Sequence, residues 1–187
     1  MRILIASTPA TGHLNPLLAI GRILIAEGHE IVGLSGNALR ERIESIGAKF
    51  RPLPVGADFD LRDIVSVVPE LKNMPPGQEW LRLVIERLFV DTIPAQHKGL
   101  EQVLRDFAAD VIIGDDMFFG MLPQLLGPCL KRPPLFFVAR RFCTGVAKTG
   151  RLIFLVCHPL PPRHNSGNTR LSLKNTTGSS ISHWSVV

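Results

Sequence analysis

The chain has few cysteines, and none are spaced as a redox or metal motif: Cys129, Cys143 and Cys157 stand apart, with no C-x-x-C. A disulfide scaffold and a structural zinc site are therefore poor readings, and a reducing compartment fits best. No apolar run approaches the ~20 residues that cross a bilayer. The opening Met1-Arg2-Ile3-Leu4-Ile5-Ala6 passes at once into Ser-Thr-Pro, an apolar core too short for a secretory signal. Together these absences predict a soluble, cytoplasmic protein with no transmembrane segment. The usual nucleotide loops are missing too. The first turn has the single glycine Gly12, where a dinucleotide fingerprint needs three, and Lys148-Thr149 has no glycine directly before the lysine.

The last absence is of acid. Residues 135–187 hold seven Lys and Arg and no Asp or Glu, whereas residues 1–134 hold 14 basic and all 16 acidic residues. The formal charge of +5 therefore belongs to the tail. Such a tail reads as a solvated basic segment, as an arm for nucleic acid or membrane, or as sequence that is not native.

What is present is an alternation of strands and helices. Arg2 to Ser7 is an almost continuous apolar run, as in a strand buried on both faces of a parallel sheet. After a turn through Thr8 to His13, the pattern predicts a helix capped by Asn15, with Pro16 at its first position and Gly28 as its stop. His29 to Leu34 reads as a second strand, Ala38 to Ser45 as a second helix closed by Gly47, and Lys49 to Leu53 as a third strand. Residues 54–77 hold four prolines and read as a long loop with one helical turn. Glu79 to Thr92 is amphipathic, with Trp80, Leu83, Val84, Leu88 and Phe89 inward, and a further helix covers Ala95 to Phe107 after a break at Pro94. Asp110 to Gly114 is another buried strand, and Met121 to Leu126 a short helix. The alternation implies an α/β fold, a Rossmann-like parallel sheet with flanking helices. Beyond Pro133-Pro134 only Leu135–Val138 and Leu152–Val156 read as strands, and the rest as a disordered tail.

Two sets of residues carry chemistry. Gly12-His13-Leu14-Asn15-Pro16 follows the first strand, and Asp115-Asp116 follows a later one. In an open parallel sheet, ligands bind at the carboxyl ends of the strands, where both sets lie. A histidine near a helix N-terminus feels the positive end of the dipole, which disfavours its protonation and keeps it available as a base. A nearby carboxylate can orient the imidazole and stabilise the imidazolium that forms. On spacing alone, the plainer reading stands beside this one: His13 as a local cap and the aspartates as turn residues.

The order strand, T-P-A-T-G-H-L-N-P, then L-L-A-I-G-R-I-L-I-A-E-G-H-E-I resembles the N-terminal domain of the GT-B glycosyltransferases, above all the macrolide, UDP-glucosyl and sterol-type transferases. The resemblance covers about residues 1–134. It implies an acceptor-binding half of an inverting hexosyltransferase, acting on a hydroxyl of a small lipophilic acceptor. The donor would be a nucleotide sugar such as a UDP- or dTDP-hexose, with no other cofactor, no metal and no nucleic acid. His13 is similar in place to the family's general base. Its aspartate partner falls in the turn Asp116-Met117-Phe118, with Asp115 as the alternative partner. Gly12, Trp80, Phe89, Phe118 and Phe119 are the acceptor-side candidates. The donor-binding domain of such enzymes is not in the sequence, which implies that this chain is inactive alone. Codons for 135–162 read one base earlier permit a string that looks like the family's next strand and acceptor-side loop. That implies a frameshift near Pro134 and an accidental tail over 135–187. The competing function is a stand-alone Rossmann-like binding module with a basic tail.

Overall fold

A computed structural model describes residues 1–127, 132–140 and 152–157 of the chain. Its centre is a six-stranded sheet in the order β3-β2-β1-β4-β5-β6. The strands are β1 (Arg2–Ala6), β2 (Glu30–Ser35), β3 (Lys49–Pro52), β4 (Val111–Asp115), β5 (Leu135–Arg140) and β6 (Leu152–Cys157). The first five run parallel, and β6 closes the edge antiparallel to β5. The α/β sheet predicted from the sequence is the observed one. Both late strands exist, and β5 pairs with β4 from Ile112↔Leu135 to Asp115↔Val138, so the sheet continues past Pro134. The remainder of 135–187, with the disorder and frameshift expected there, lies outside the described residues.

The apolar strands are buried because helices cover both faces. On one face Ile3, Ile5 and Ile31 pack under α1 (Thr11–Ala26) and α2 (Arg40–Glu44), against Leu14, Leu17, Leu18 and Ile43. On the other, Leu4, Ala6, Val32, Leu34 and Ile112 meet Leu100, Val103 and Phe107 at α5 (Ile93–Asp106) and its end. The odd and even residues of each strand thus feed two cores, as the period of two requires. A third cluster gathers Phe59, Val68, Leu71, Leu83, Val84, Leu88 and Phe89 from the segment between β3 and α5. The first part of that segment, 54–77, is more ordered than the prolines suggested, with α3 (Ile64–Val67) and several 3₁₀ turns. The amphipathic stretch expected over Glu79 to Thr92 is α4 (Gln78–Ile85) followed by a π-helical turn at Glu86–Val90.

Two local expectations need correction. The first helix begins at Thr11, not at Asn15, because the N–H groups of His13 and Leu14 both turn back to the Ala10 carbonyl at 3.0 Å. Asn15 is no cap; its Oδ1 accepts from Arg42 at 2.6 Å. Pro16 therefore sits inside the helix, where it deprives the Gly12 carbonyl of its i+4 donor. The second is Pro94, which lies in the first turn of α5 rather than before it, a position where a missing N–H costs nothing. The stops are as expected. Gly28 and Gly47 follow α1 and α2 at φ of 83° and 89°, in the left-handed region that a side chain resists.

Among the described residues, no helix is long and apolar enough to cross a membrane. Leu100 is fully buried at the centre of the α5 face, whereas Val55 is 95% exposed. Leu100→Ala should lower the unfolding free energy by about 2–5 kcal/mol through the cavity it leaves. Val55→Ala should change it by less than about 0.5 kcal/mol. Urea titration followed by circular dichroism reads both, and equal effects would mean that α5 does not cover the sheet as described.

Candidate active site

The strand order brings the two chemical sets together. β1 and β4 are neighbours with Ala6 opposite Gly114, so Asp115 ends β4 beside Ser7 and Thr8, 107 residues away from Thr8 in sequence. The early start of α1 places His13 in its first turn, at the same carboxyl edge. His13 Nδ1 lies 3.1 Å from Asp115 Oδ1.

Asp115 is closed to solvent, at 2% exposure, and its carboxylate is held from several sides. Oδ2 accepts the Thr8 backbone N–H at 2.6 Å. Oδ1 accepts the Met117 N–H at 2.8 Å and faces the Thr8 hydroxyl at 3.4 Å. A buried carboxylate needs such partners, since an unpaired buried charge costs several kcal/mol. A carboxylate only accepts, so the contact fixes the hydrogen of a neutral His13 on Nδ1 and leaves the basic lone pair on Nε2. The His13 side chain is 28% exposed, which leaves the ring within reach of a ligand.

Asp116 is half-buried next to this pair. Donor atoms of His13, Asp115 and Asp116 all lie within 4.8 Å of one another, a nitrogen and oxygen set that could hold a metal ion. Both oxygens of Asp115, however, already serve backbone N–H groups, so its geometry is that of a hydrogen-bonded orienter. The sequence put Asp116 first and Asp115 second as the histidine's partner; the 3.1 Å contact belongs to Asp115.

The other sequence candidates divide. Gly12 is exposed in the first turn of α1, directly before His13. Phe118 is 1% exposed and packs in the core beneath α5 with Leu100 and Met121. Phe89 and Phe119 meet as a tilted pair, with ring centroids 6.3 Å apart and an interplanar angle of 57°. Trp80 and Phe119 are partly buried against the third cluster, which contains Phe89. The site also uses groups that sequence reasoning did not select. The Thr8 backbone was read only as turn, and Gln96 and His97 of α5 hold the loop after β4 through Gly120. Gln96 had a signal: it shares the buried face of α5 with Gly99, Leu100 and Val103, a polar residue on an apolar stripe.

No family model matches the chain. Individual proteins do. It is 34% identical over 134 residues to UDP-glucosyltransferase B1 of Starmerella bombicola, which covers 69% of this chain and 31% of that protein. It is 36% identical over 129 residues to UDP-glycosyltransferase 2 of Phaeomoniella chlamydospora, covering 67% of this chain and 28% of the relative. Among solved structures, the calicheamicin glycosyltransferase CalG4 superposes with a TM-score of 0.56 at 21% identity, over 76% of this chain and 33% of that one. The Streptomyces sp. SF2575 glycosyltransferase SsfS6 gives 0.55 at 20% identity, over 75% of this chain and 40% of that one. The chain thus spans about a third of the length of the curated relatives it matches.

Because Asp115 satisfies two backbone donors, Asp115→Ala should cost about 1–3 kcal/mol for each N–H left without an acceptor. Val55→Ala, at a 95% exposed position, should cost less than about 0.5 kcal/mol. Denaturant midpoints of the two variants check this, and an Asp115→Ala chain as stable as the Val55→Ala chain would contradict the assignment.

Proposed function

This chain belongs to the UDP-glycosyltransferase family, and from that premise we propose that its described residues form the acceptor-side half of an inverting hexosyltransferase. The observation that carries the proposal is the His13–Asp115 contact at the carboxyl edge of the sheet, with Asp115 buried and His13 open to solvent on one side. His13 Nε2 takes the proton of an acceptor hydroxyl. The oxygen's electron pair then forms a bond to the anomeric carbon of a nucleotide sugar, the bond from that carbon to the diphosphate breaks, and the nucleotide diphosphate leaves with its electrons. Asp115 keeps the ring in the Nδ1–H tautomer and offsets the positive charge that His13 gains. Asp116, beside the pair, adds negative potential and takes part in placing the acceptor. Base and orienter supply the proton chemistry without a metal.

The acceptor is a small lipophilic alcohol. Support comes from the apolar cluster of Phe89, Phe119 and Trp80, which adjoins the loop carrying Asp115 through Phe119 and Met117. Phe118 acts from below as core, holding that loop on α5. The donor is a UDP- or dTDP-hexose, the names of the relatives supporting UDP. Transfer also needs the donor held opposite His13. Such positioning supplies up to about 7–11 kcal/mol of the barrier reduction in a two-substrate reaction. In this reading the donor is held by parts of the relatives outside the matched third of their length.

Two outcomes follow. The 187-residue chain, incubated with UDP- and dTDP-sugars and a panel of hydrophobic alcohols, should give no glycoside by mass spectrometry. Turnover that His13→Ala abolishes would show that this part suffices. In a chain extended to the length of its relatives, His13→Ala should lower the transfer rate by about 10²–10⁴-fold with the fold intact. An extended enzyme indifferent to that change would remove the mechanism while leaving the family assignment standing.

A further inference from the structure

Both backbone polar groups of Gly120 are taken by two consecutive side chains of α5. Gln96 Oε1 accepts the Gly120 N–H at 2.8 Å, and His97 Nδ1 donates to the Gly120 carbonyl at 3.1 Å. Gln96 is itself fully buried, and its Nε2 donates to Thr92 Oγ1 at 3.1 Å. The Thr92 hydroxyl donates in turn to the Leu88 carbonyl at 2.8 Å. Residue 120 packs directly against the α5 backbone. A Cβ there would come within 2.9 Å of the Gln96 carbonyl carbon and the His97 nitrogen.

This clamp lies at one end of a hydrogen-bonded loop whose other end is Asp115. The Phe119 N–H donates to the Met117 carbonyl at 3.0 Å, and the Phe118 N–H to the Asp115 carbonyl at 3.2 Å. The Met117 N–H donates to Asp115 Oδ1 at 2.8 Å, and that same oxygen faces His13 Nδ1. The Met117 N–H is thus one of the two backbone donors that orient the carboxylate, the other being the Thr8 N–H on Oδ2. A purely packing role does not require an amide at position 96, since methionine fills similar volume without polar atoms. What the amide adds is the register of one buried N–H.

We propose that Gln96 is a positioning residue that, through Gly120 and Met117, sets the orientation of the Asp115 carboxylate and thereby the tautomer of His13. The proposal rests on the reading of His13 as the base. The test uses the 187-residue chain with ¹⁵N-labelled histidine, and long-range ¹H–¹⁵N spectra at a pH where the rings are neutral. His13→Gln identifies the His13 signals among the six histidines.

The wild type should show His13 mainly as the Nδ1–H tautomer. Gln96→Met should melt cooperatively and lose that preference, whereas Gln96→Glu, which keeps an oxygen for the Gly120 N–H, should retain it. A folded Gln96→Met chain with the wild-type tautomer would overturn the proposal, because a merely structural role changes stability and not the tautomer of the folded state. Should Gln96→Met fail to fold, Thr92→Val removes the acceptor for the Gln96 amide at nearly constant volume. Partial loss of the Nδ1–H form would then support the proposal, and full retention would overturn it. A wild type lacking the Nδ1–H form would instead remove the base reading itself, and the role of Gln96 with it.

Discussion

The Asp115 carboxylate is buried at the end of a central strand, so its charge has to be matched by the protein rather than by water. Much of the local architecture follows from that requirement. The Thr8 N–H reaches it because β1 and β4 are adjacent and in register. The Met117 N–H reaches it because the chain turns sharply after β4. His13 reaches it because α1 begins immediately after the turn that follows β1. The early helix start, the absence of a side-chain cap at Ala10 and the tolerated Pro16 are consistent with a segment shaped by this contact more than by helix propensity.

The same constraint links fold to chemistry. A parallel sheet collects the carboxyl ends of β1 and β4 on one edge, and on that edge a fixed carboxylate meets a partly open imidazole. A base held in one tautomer by a buried acid suits the removal of a proton from a hydroxyl. The sugar that such an oxygen would attack has to be presented from opposite the edge. The third apolar cluster, tied to the loop by Met117 and Phe119, lies beside that edge on the side of the segment between β3 and α5.

Much of this was legible in the residues, and the failures have physical causes. The apolar runs of β1, β2 and β4 and the glycines after α1 and α2 announced a parallel sheet, since few other arrangements bury such strands on both faces. Gly12-His13 and Asp115-Asp116 were legible as edge residues for the same reason. Which aspartate turns inward was not, because it depends on register: Asp115 is the last residue paired in β4, and Asp116 the first beyond it. The Asn15-Pro16 pair misled, since good cap chemistry lost to the contacts of His13 and Leu14 with Ala10. Residues 54–77 misled in the other direction. Their prolines broke every period, yet Phe59, Val68 and Leu71 had enough apolar surface to build a cluster with α4. Gln96 could be seen as a polar residue on an apolar face, but its partner, the N–H of Gly120, is visible only in three dimensions.

The central claim is that His13 and Asp115 act as one unit, and a double-mutant cycle measures that most directly. In a chain extended to the length of its relatives, glycosyl transfer rates would be compared for His13→Ala, Asp115→Asn and the two together. If the catalytic effect of Asp115 passes through the ring, then in folded enzyme the double variant should be no slower than His13→Ala alone. Losses that multiply, with the double variant slower by the product of the two single effects, would mean that the residues work independently and would contradict the account.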